Sequence, residues 1–441
     1  MIRQLEATPM WDICIVGGGA TGLGIAVDAA SRGFKTLLVE KFDFAKGTSS
    51  RSTKLVHGGV RYLQQGNIKL VMDALKERGI LIKNAPHLVK NQAFIVPNYK
   101  WWEGPFYGIG LKVYDWMAGS LGFGPSQFLS REETLNLAPT LDADGLRSGV
   151  LYHDGQFDDA RLAIHLAMTA ADHGATIINY MSVEGLLKAN NKVCGVLLKD
   201  KLNGVSSSPS YEVKAKAVIN ATGTWTRPFW PIYPGRSTFL GRQLHVADYV
   251  SAEEFRGKHV IVVGGGISAV GLLDEISQVT TTSWFTRREP EWRDATFDAR
   301  AGHDAVALVE ERVRRGLPPQ SVVAVTGLIW TPALRAAEKR GALQRQPMFS
   351  SIEPDGVRLT DGSLLRADVI LWATGFRAEL EHLAPLHLRG PGGGIAMDGT
   401  QVAAEPRVHL VGYGPSSSTI GANRAGRAAV AAILKLPAFQ Q

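Results

Sequence analysis

Only two cysteines, Cys14 and Cys194, occur in 441 residues, and they form no CxxC pair. That scarcity excludes a redox-active dithiol and a disulfide framework, and it fits a reducing compartment. No apolar run reaches the roughly eighteen residues a membrane-spanning helix needs, so none is expected. Met1 to Met10 carries charge and a proline but no apolar stretch, so no signal peptide is expected there. No basic run is dense enough to argue for nucleic acid, and no metal site is expected. The net charge of +7 is modest for this length. It suits phosphorylated, anionic ligands or weak attraction to an acidic membrane surface. The length itself calls for two or more domains.

What is present changes character near Trp225. Residues 1–224 hold 16 Lys, 8 Arg and 10 Asn, whereas residues 225–441 hold 3 Lys, 21 Arg and 1 Asn. Basic charge is equal on the two sides, so electrostatics did not drive the shift. Two parental sequences joined near Ala221 to Trp225 would produce it, as would one lineage with uneven composition.

The chain opens on a β-α-β pattern. An apolar strand, Trp11–Val16, runs into GGGATG at residues 17–22, then a helix and a second strand, Thr36–Val39, ending in Glu40. Gly17 permits the tight turn, Gly19 lets backbone approach a pyrophosphate, and Gly22 lets helix and strand pack closely. The helix N-terminus offers amide donors to phosphates, and Glu40 can accept ribose hydroxyls. Dinucleotide binding follows, against the alternative of a glycine turn that only allows close packing. Residues 67–84 and 158–173 read as helices. Residues 176–221 read as strands with a surface turn at 204–210.

The next segment narrows the cofactor. Residues 49–63, SSRSTKLVHGGVRYL, form a Ser/Thr-rich loop with cations and glycines. With the GGGATGLG turn, Ser130 to Glu133, and DGQFDDAR at 154–161, this stretch resembles the N-terminal half of the FAD-dependent glycerol-3-phosphate dehydrogenases. The resemblance implies that Ser50, Ser52, Thr53 and Lys54 bind FAD, and that His57 and Arg61 act beside the flavin ring. A cation there would stabilise an anionic reduced flavin. His57 also reads as an ordinary polar turn residue. Residues 98–119 carry Trp101, Trp102, Phe106, Tyr107, Tyr114 and Trp116 beside Lys100 and Lys112. They read as a core-packing helix or as a membrane-surface patch, and the resemblance implies peripheral membrane association.

The second half repeats the opening. A strand at 259–263 meets GGGISA at 264–269, with Gly264 and Gly266 in the turn and Ala269 in the packing position. The following strand ends in Thr286-Arg287-Arg288, not in an acid. Arginines there grip a 2′-phosphate that a carboxylate would repel, which favours NADPH over NADH. The alternative is a solvated surface pair.

Upstream, residues 239–249, FLGRQLHVADY, fit FxGxxxHxxxY. In order with Gly223 in ATGTW, the second glycine turn, Gly375 in ATGF, and Gly412 in the closing strand–turn–helix, residues 221–441 resemble the flavin-containing monooxygenases. By that resemblance His245 lies at a hinge and couples NADP binding to the flavin. It also reads as a hinge histidine bonded to backbone.

The expected architecture is α/β, with two Rossmann-like dinucleotide-binding domains for FAD and NADPH, the second inserted in the first. Residues 1–225 form the FAD domain, with a cap-like insertion at about 65–150. Residues 226–372 form the NADPH domain, and residues 373–441 return to complete the FAD site. The join leaves out the half that binds substrate phosphate in the dehydrogenases and the half that manages oxygen and substrate in the monooxygenases. Three functions are open: a monooxygenase-type flavoprotein reduced by NADPH and uncoupled to hydrogen peroxide, a glycerol-3-phosphate dehydrogenase feeding quinone, or a nucleotide-binding chimera without turnover. The expected location is the cytoplasm, with peripheral contact at the inner face of the membrane. Substrate and oligomeric state are not legible.

Overall fold

The computed structural model describes residues 1–59, 68–119, 122–202, 209–293, 299–320, 327–417 and 419–440. The chain forms two units. The first holds Met1–Ser182, Lys199–Pro209 and Phe297–His303; the second holds Val183–Leu198, Ser210–Thr296 and Asp304–Gln441. The sequence boundary at residue 225 lies inside the second unit. The expected surface turn at 204–210 lies largely outside the described residues, as does Arg61.

In the first unit the strand Trp11–Val16 pairs in parallel with Thr36–Val39, which pairs in parallel with Thr176–Ile178. Helix Ala20–Ser31 crosses over and packs on helix Asp159–Asp172. Both helices bury small residues: Ala26, Ala29 and Ala30 on the first, Ala163, Ala167 and Ala170 on the second. A second, antiparallel sheet joins Leu55–Val56, Val89–Asn98 and Gln127–Ser130 to the strand Ser148–Phe157. Most of it lies within the expected cap-like insertion. Helix Glu103–Ala118 buries Gly104, Gly108, Leu111, Tyr114 and Ala118. Its other side leaves Phe106, Ile109, Val113 and Trp116 exposed, next to exposed Trp101, Trp102 and Phe128.

The second unit contains a five-stranded parallel sheet in the order Arg242–His245, Val369–Trp372, Val260–Val263, Thr282–Thr286, Arg345–Pro347. Its central strands, Val260–Val263 and Val369–Trp372, are buried on both faces, which explains their unbroken apolar runs. Val260, Val262, Trp284 and Leu371 pack one face with helix Ile267–Ile276. Ile261, Val263, Phe285, Ile370 and Trp372 pack the other. A three-stranded hairpin sheet, Ser351–Glu353, Gly356–Arg358 and Leu364–Arg366, follows. The strand Ser210–Asn220 pairs in parallel with Glu405–Leu410. The fold is mixed α/β with two Rossmann-like dinucleotide-binding motifs. Both cysteines are free, and burial in the first strand pushes the Cys14 thiol up to about 12. Among the described residues no helix is long and apolar enough to cross a membrane, and no acid, His and Cys cluster could hold a metal.

Two buried histidines of the second unit make stability pH-dependent. His409 lies fully buried in the strand Glu405–Leu410, with Nδ1 3.0 Å from Thr400 Oγ1. His382 is 9% exposed. Burial lowers both to about 4. The unfolded chain therefore takes up protons first, near pH 6.5. Stability is full above that value and falls as pH drops toward 4, by an amount on the order of a few kcal/mol. Asp159, also held low, adds its loss only below the usual carboxylate range. Thermal melts should be flat from pH 8 to 7 and fall between pH 6.5 and 4.5. A flat profile across that lower window would contradict the histidine assignment.

Candidate functional site

The first glycine turn joins strand to helix with Gly17 at φ +114°, and Gly17 N–H donates to Val39 O at 2.9 Å. A side chain at Gly18 would lie 2.7 Å from Phe44 and 2.8 Å from Glu40, and one at Gly19 would lie 3.1 Å from Ser49 Oγ. At Gly18 the backbone is packed against Phe44 and Glu40, so the turn leaves no room for a side chain there. Gly22 is buried inside the helix, in the close-packing position. Glu40 is tied into the turn: Oε2 accepts Gly18 N–H at 2.6 Å and Oε1 accepts Phe42 N–H at 2.8 Å. Its remaining lone pairs are available to ribose hydroxyls. Ser49 Oγ accepts Ala20 N–H at 2.9 Å at the start of the helix. Sequence reasoning passed over Ser49, although the Thr48-Ser49-Ser50 run is the signal for it.

The loop that follows is organised by a carboxylate far away in sequence. Asp159, at the start of helix Asp159–Asp172, accepts Ser52 N–H at 2.9 Å and pairs with Lys54 Nζ. Lys54 Nζ also donates to Ser50 O at 2.9 Å, and Ser52 Oγ accepts Lys54 N–H at 3.1 Å. Burial raises the Asp159 carboxyl, but the hydrogen bonds from Lys54 and Ser52 outweigh it and hold the group below the usual range. The structure thus brings Ser50, Ser52 and Lys54 together, with Thr53 exposed between them. Lys54 is engaged by protein acceptors, so its charge is already balanced.

His57 is exposed, and the glycines after it are buried. A Cβ at Gly58 would fall 2.2 Å from Tyr114 Oη and 2.4 Å from Leu75. Behind that turn lies a buried polar cluster. Asp154 accepts from Arg78 Nη1 at 2.6 Å, Tyr114 Oη at 3.1 Å, Gly155 N–H at 3.1 Å and Gly58 N–H at 3.3 Å. Arg78, Tyr114 and Asp154 are each at most 2% exposed. Burial, then the neighbouring Asp154 charge, pushes the Tyr114 hydroxyl up, so it stays a donor.

In the second unit Gly264 sits at φ +146°, where a Cβ would lie 2.2 Å from Ala373 O. Its carbonyl accepts Trp284 Nε1–H at 2.7 Å. Gly266 caps helix Ile267–Ile276 with no side chain, and the space a Cβ would take there is open. Ala269 is fully buried in the packing position. Arg287 and Arg288 are exposed just past the strand Thr282–Thr286. Among the described residues neither side chain has an ion-pair partner.

His245 ends the strand Arg242–His245 fully buried. Nε2–H donates to Gly375 O at 3.0 Å, and Nδ1 accepts Ala247 N–H at 3.2 Å. Burial lowers its pKa against opposing contributions from the Gly375 bond and Asp248. The imidazole is therefore neutral, with both nitrogens used by backbone. Around it the two connecting segments lie side by side. Thr222 Oγ1 donates to Glu379 O at 2.7 Å, Glu379 N–H donates to Gly223 O at 3.1 Å, Trp225 stacks on Phe376, and Phe229 N–H donates to Gly375 O at 2.9 Å. Gly223 and Gly375 adopt φ +67° and +78°. Gly412, at φ +89°, donates to Ser416 Oγ at 3.0 Å, and the preceding Val411 N–H donates to Asn220 O at 2.9 Å.

These two motifs match two families. The FAD dependent oxidoreductase model fits residues 12–253, and the pyridine nucleotide-disulphide oxidoreductase model fits residues 163–413. The mitochondrial glycerol-3-phosphate dehydrogenase of Schizosaccharomyces pombe is 45% identical over 234 residues, covering 51% of this chain and 35% of that protein. The human enzyme is 47% identical over 238 residues, covering 51% and 32%. The chain thus spans about a third of the length of these curated relatives. Among solved structures, a flavin-containing monooxygenase from Stenotrophomonas maltophilia aligns with a TM-score of 0.56 at 23% identity, covering 97% of this chain and 98% of that one. That likeness is one of fold.

Proposed function

Because the chain belongs to the FAD dependent oxidoreductases over residues 12–253 and to the pyridine nucleotide-disulphide oxidoreductases over residues 163–413, we propose that this flavoenzyme is reduced by NADPH and hands electrons to oxygen. The supporting observation is the pair Arg287 and Arg288 at the strand end where a dinucleotide fold meets the adenosine ribose. Bound FAD supplies two-electron redox chemistry that no side chain here offers. Gly17, Gly19 and the amides opening helix Ala20–Ser31 hold its pyrophosphate, and Glu40 holds its ribose. The Ser50, Ser52, Thr53 and Lys54 loop, with His57, lines the flavin. Gly264 and Gly266 let the backbone approach the NADPH pyrophosphate while Ala269 packs helix on strand, and Arg287 and Arg288 hold its 2′-phosphate. His245, neutral and saturated, transfers no proton; it ties the Gly375 turn to the sheet and so couples the nucleotide site to the hinge. The net reaction takes NADPH, a proton and oxygen to NADP⁺ and hydrogen peroxide.

Anaerobic titration of the purified holoprotein tests this. NADPH should bleach the flavin band at least roughly tenfold faster than NADH, as a 2′-phosphate contact implies. In air, hydrogen peroxide should track NADPH consumed. A flavin left oxidised by anaerobic NADPH would sink the proposal.

The identity to glycerol-3-phosphate dehydrogenases over half the chain favours a second reading, a dehydrogenase passing electrons to quinone. In the same titration, bleaching by glycerol 3-phosphate with reduction of a quinone analogue would select it. The chimeric origin of the chain is also a proposal, supported by relatives that cover only one half and by the Lys-to-Arg shift.

The exposed face of helix Glu103–Ala118 supports peripheral contact with a membrane. Trp116 is 82% exposed and Trp101 77%. Indole rings with nearby lysines suit a headgroup interface. The holoprotein should float with anionic vesicles, and Trp101→Ser with Trp116→Ser should cut the bound fraction several-fold. Equal flotation of wild type and variant would overturn the contact.

A further inference from the structure

The strand Arg345–Pro347 lies at the edge of the parallel sheet, beside Thr282–Thr286, in a register that sets Arg345 opposite Trp284. From there the Arg345 side chain reaches the end of its neighbour. Nε donates to Thr286 Oγ1 at 2.9 Å and Nη2 donates to Thr286 O at 3.2 Å. Thr286, 2% exposed, passes the contact on, because its Oγ1 donates to Arg288 O at 2.7 Å. One hydroxyl accepts from Arg345 and spends its single proton on the main chain of Arg288. Arg345 therefore sets the turn that carries Arg287 and Arg288.

That turn faces the second glycine motif. A Cβ at Gly265 would lie 3.6 Å from Thr286 Cγ2 and 3.7 Å from Pro290. The glycine turn and the arginine turn are thus two walls of one corner. Arg345 is half-buried, and among the described residues no carboxylate pairs with Arg287, Arg288 or Arg345. Glu289 and Glu291, the acids next to the turn, are exposed and pair with none of the three. Three guanidinium groups borne about one strand end offer donors to an anion, and a planar fork suits a phosphate.

We propose that Arg345 is a specificity-determining positioning residue of the pyridine-nucleotide site: it fixes the Thr286–Arg288 turn and adds a third cation for the nucleotide 2′-phosphate. This rests on the NADPH reading above. Charge-assisted hydrogen bonds of this kind change affinity by roughly ten- to a hundredfold.

Calorimetric titration of the holoprotein with 2′,5′-ADP and with 5′-AMP separates the possibilities without turnover. Wild type should bind 2′,5′-ADP at least roughly tenfold more tightly than 5′-AMP. Arg345→Ala should lose most of that ratio, through 2′,5′-ADP alone, while 5′-AMP binding holds within about threefold. Arg345→Lys, which keeps charge but not the fork, should recover part of the ratio. If Arg345→Ala proves unstable, the Lys variant carries the test through the same ratio. Equal weakening of both ligands would reduce Arg345 to a structural support and overturn the inference, as would an unchanged ratio. A wild type that binds both ligands alike would instead remove the NADPH reading, and this inference with it.

Discussion

Asp154→Ala is expected to destabilise the first unit by roughly 3–5 kcal/mol, because it removes the carboxylate facing a buried guanidinium. Arg78 is 1% exposed, with the Asp154 oxygen 2.6 Å from Nη1. The variant loses that bond, the acceptor of the Tyr114 hydroxyl, and the acceptor of Gly58 N–H together. For a unit of this size the melting temperature should fall by roughly 6–20 °C. Retention of bound flavin should fall with it, since the loop after Lys54 runs through Gly58. Thermal melts by circular dichroism and the flavin-to-protein absorbance ratio report both. The Arg78→Met/Asp154→Leu pair should be milder than Asp154→Ala alone, since apolar groups of similar volume can replace a buried pair. A drop of under about 2 °C for Asp154→Ala, well below the range above, would show the pair to be solvated.

The second large effect concerns the second glycine turn, where two neighbouring glycines have different reasons to lack a side chain. Gly264→Ala should lower the stability of the second unit and abolish NADPH-driven flavin reduction, by roughly a hundredfold or more. Its Cβ would lie 2.2 Å from the backbone oxygen of Ala373, and its φ of +146° is strained for any L side chain. Relief would separate Val263 from its register partner Trp372. Gly266→Ala meets nothing within 4 Å and has φ −103°, so the fold should tolerate it. Its melting temperature should match wild type, while NADPH affinity falls roughly tenfold or more, because the open space is the approach for a phosphate. Thermal melts and NADPH titration separate the two behaviours. Full NADPH affinity in Gly266→Ala would argue that the turn serves packing alone.

Local signals made both glycine turns readable in the sequence. Strand, turn, helix and terminal residue fall within about thirty positions, and each step has its own residue requirement. The central parallel strand Val260–Val263 announced itself as an apolar run, whereas the edge strand Arg345–Pro347, with its polar residues, did not. The cap sheet of the first unit did not, because its central strand, Ser148–Phe157, takes partners from three separated segments. The aromatic helix carried no clean period, since its buried side is made of Gly104, Gly108 and Ala118 with only Leu111 and Tyr114 as large residues. Asp159 and Arg345 were invisible for the same reason: each acts on a loop that only tertiary pairing brings near. Asp159 reaches Ser52 across 107 positions, and Arg345 reaches Thr286 across 59. Glu40 is expected from the sequence as a ribose acceptor, but its bond to Gly18 N–H, which stiffens the turn, required coordinates.

The paired segments at Thr222–Phe229 and Gly375–Glu379 have an evolutionary consequence. The chain departs and comes back along one path, with Thr222 bonded to Glu379 and Trp225 stacked on Phe376. The 230–374 stretch therefore begins and ends at neighbouring points in space. A piece with adjacent ends can be exchanged as a cassette, because a recombination event has to satisfy one seam and not two. It could equally be excised with its new termini side by side, or closed with a short linker and reopened elsewhere. The fold is thus modular at the level of the gene as well as the polypeptide.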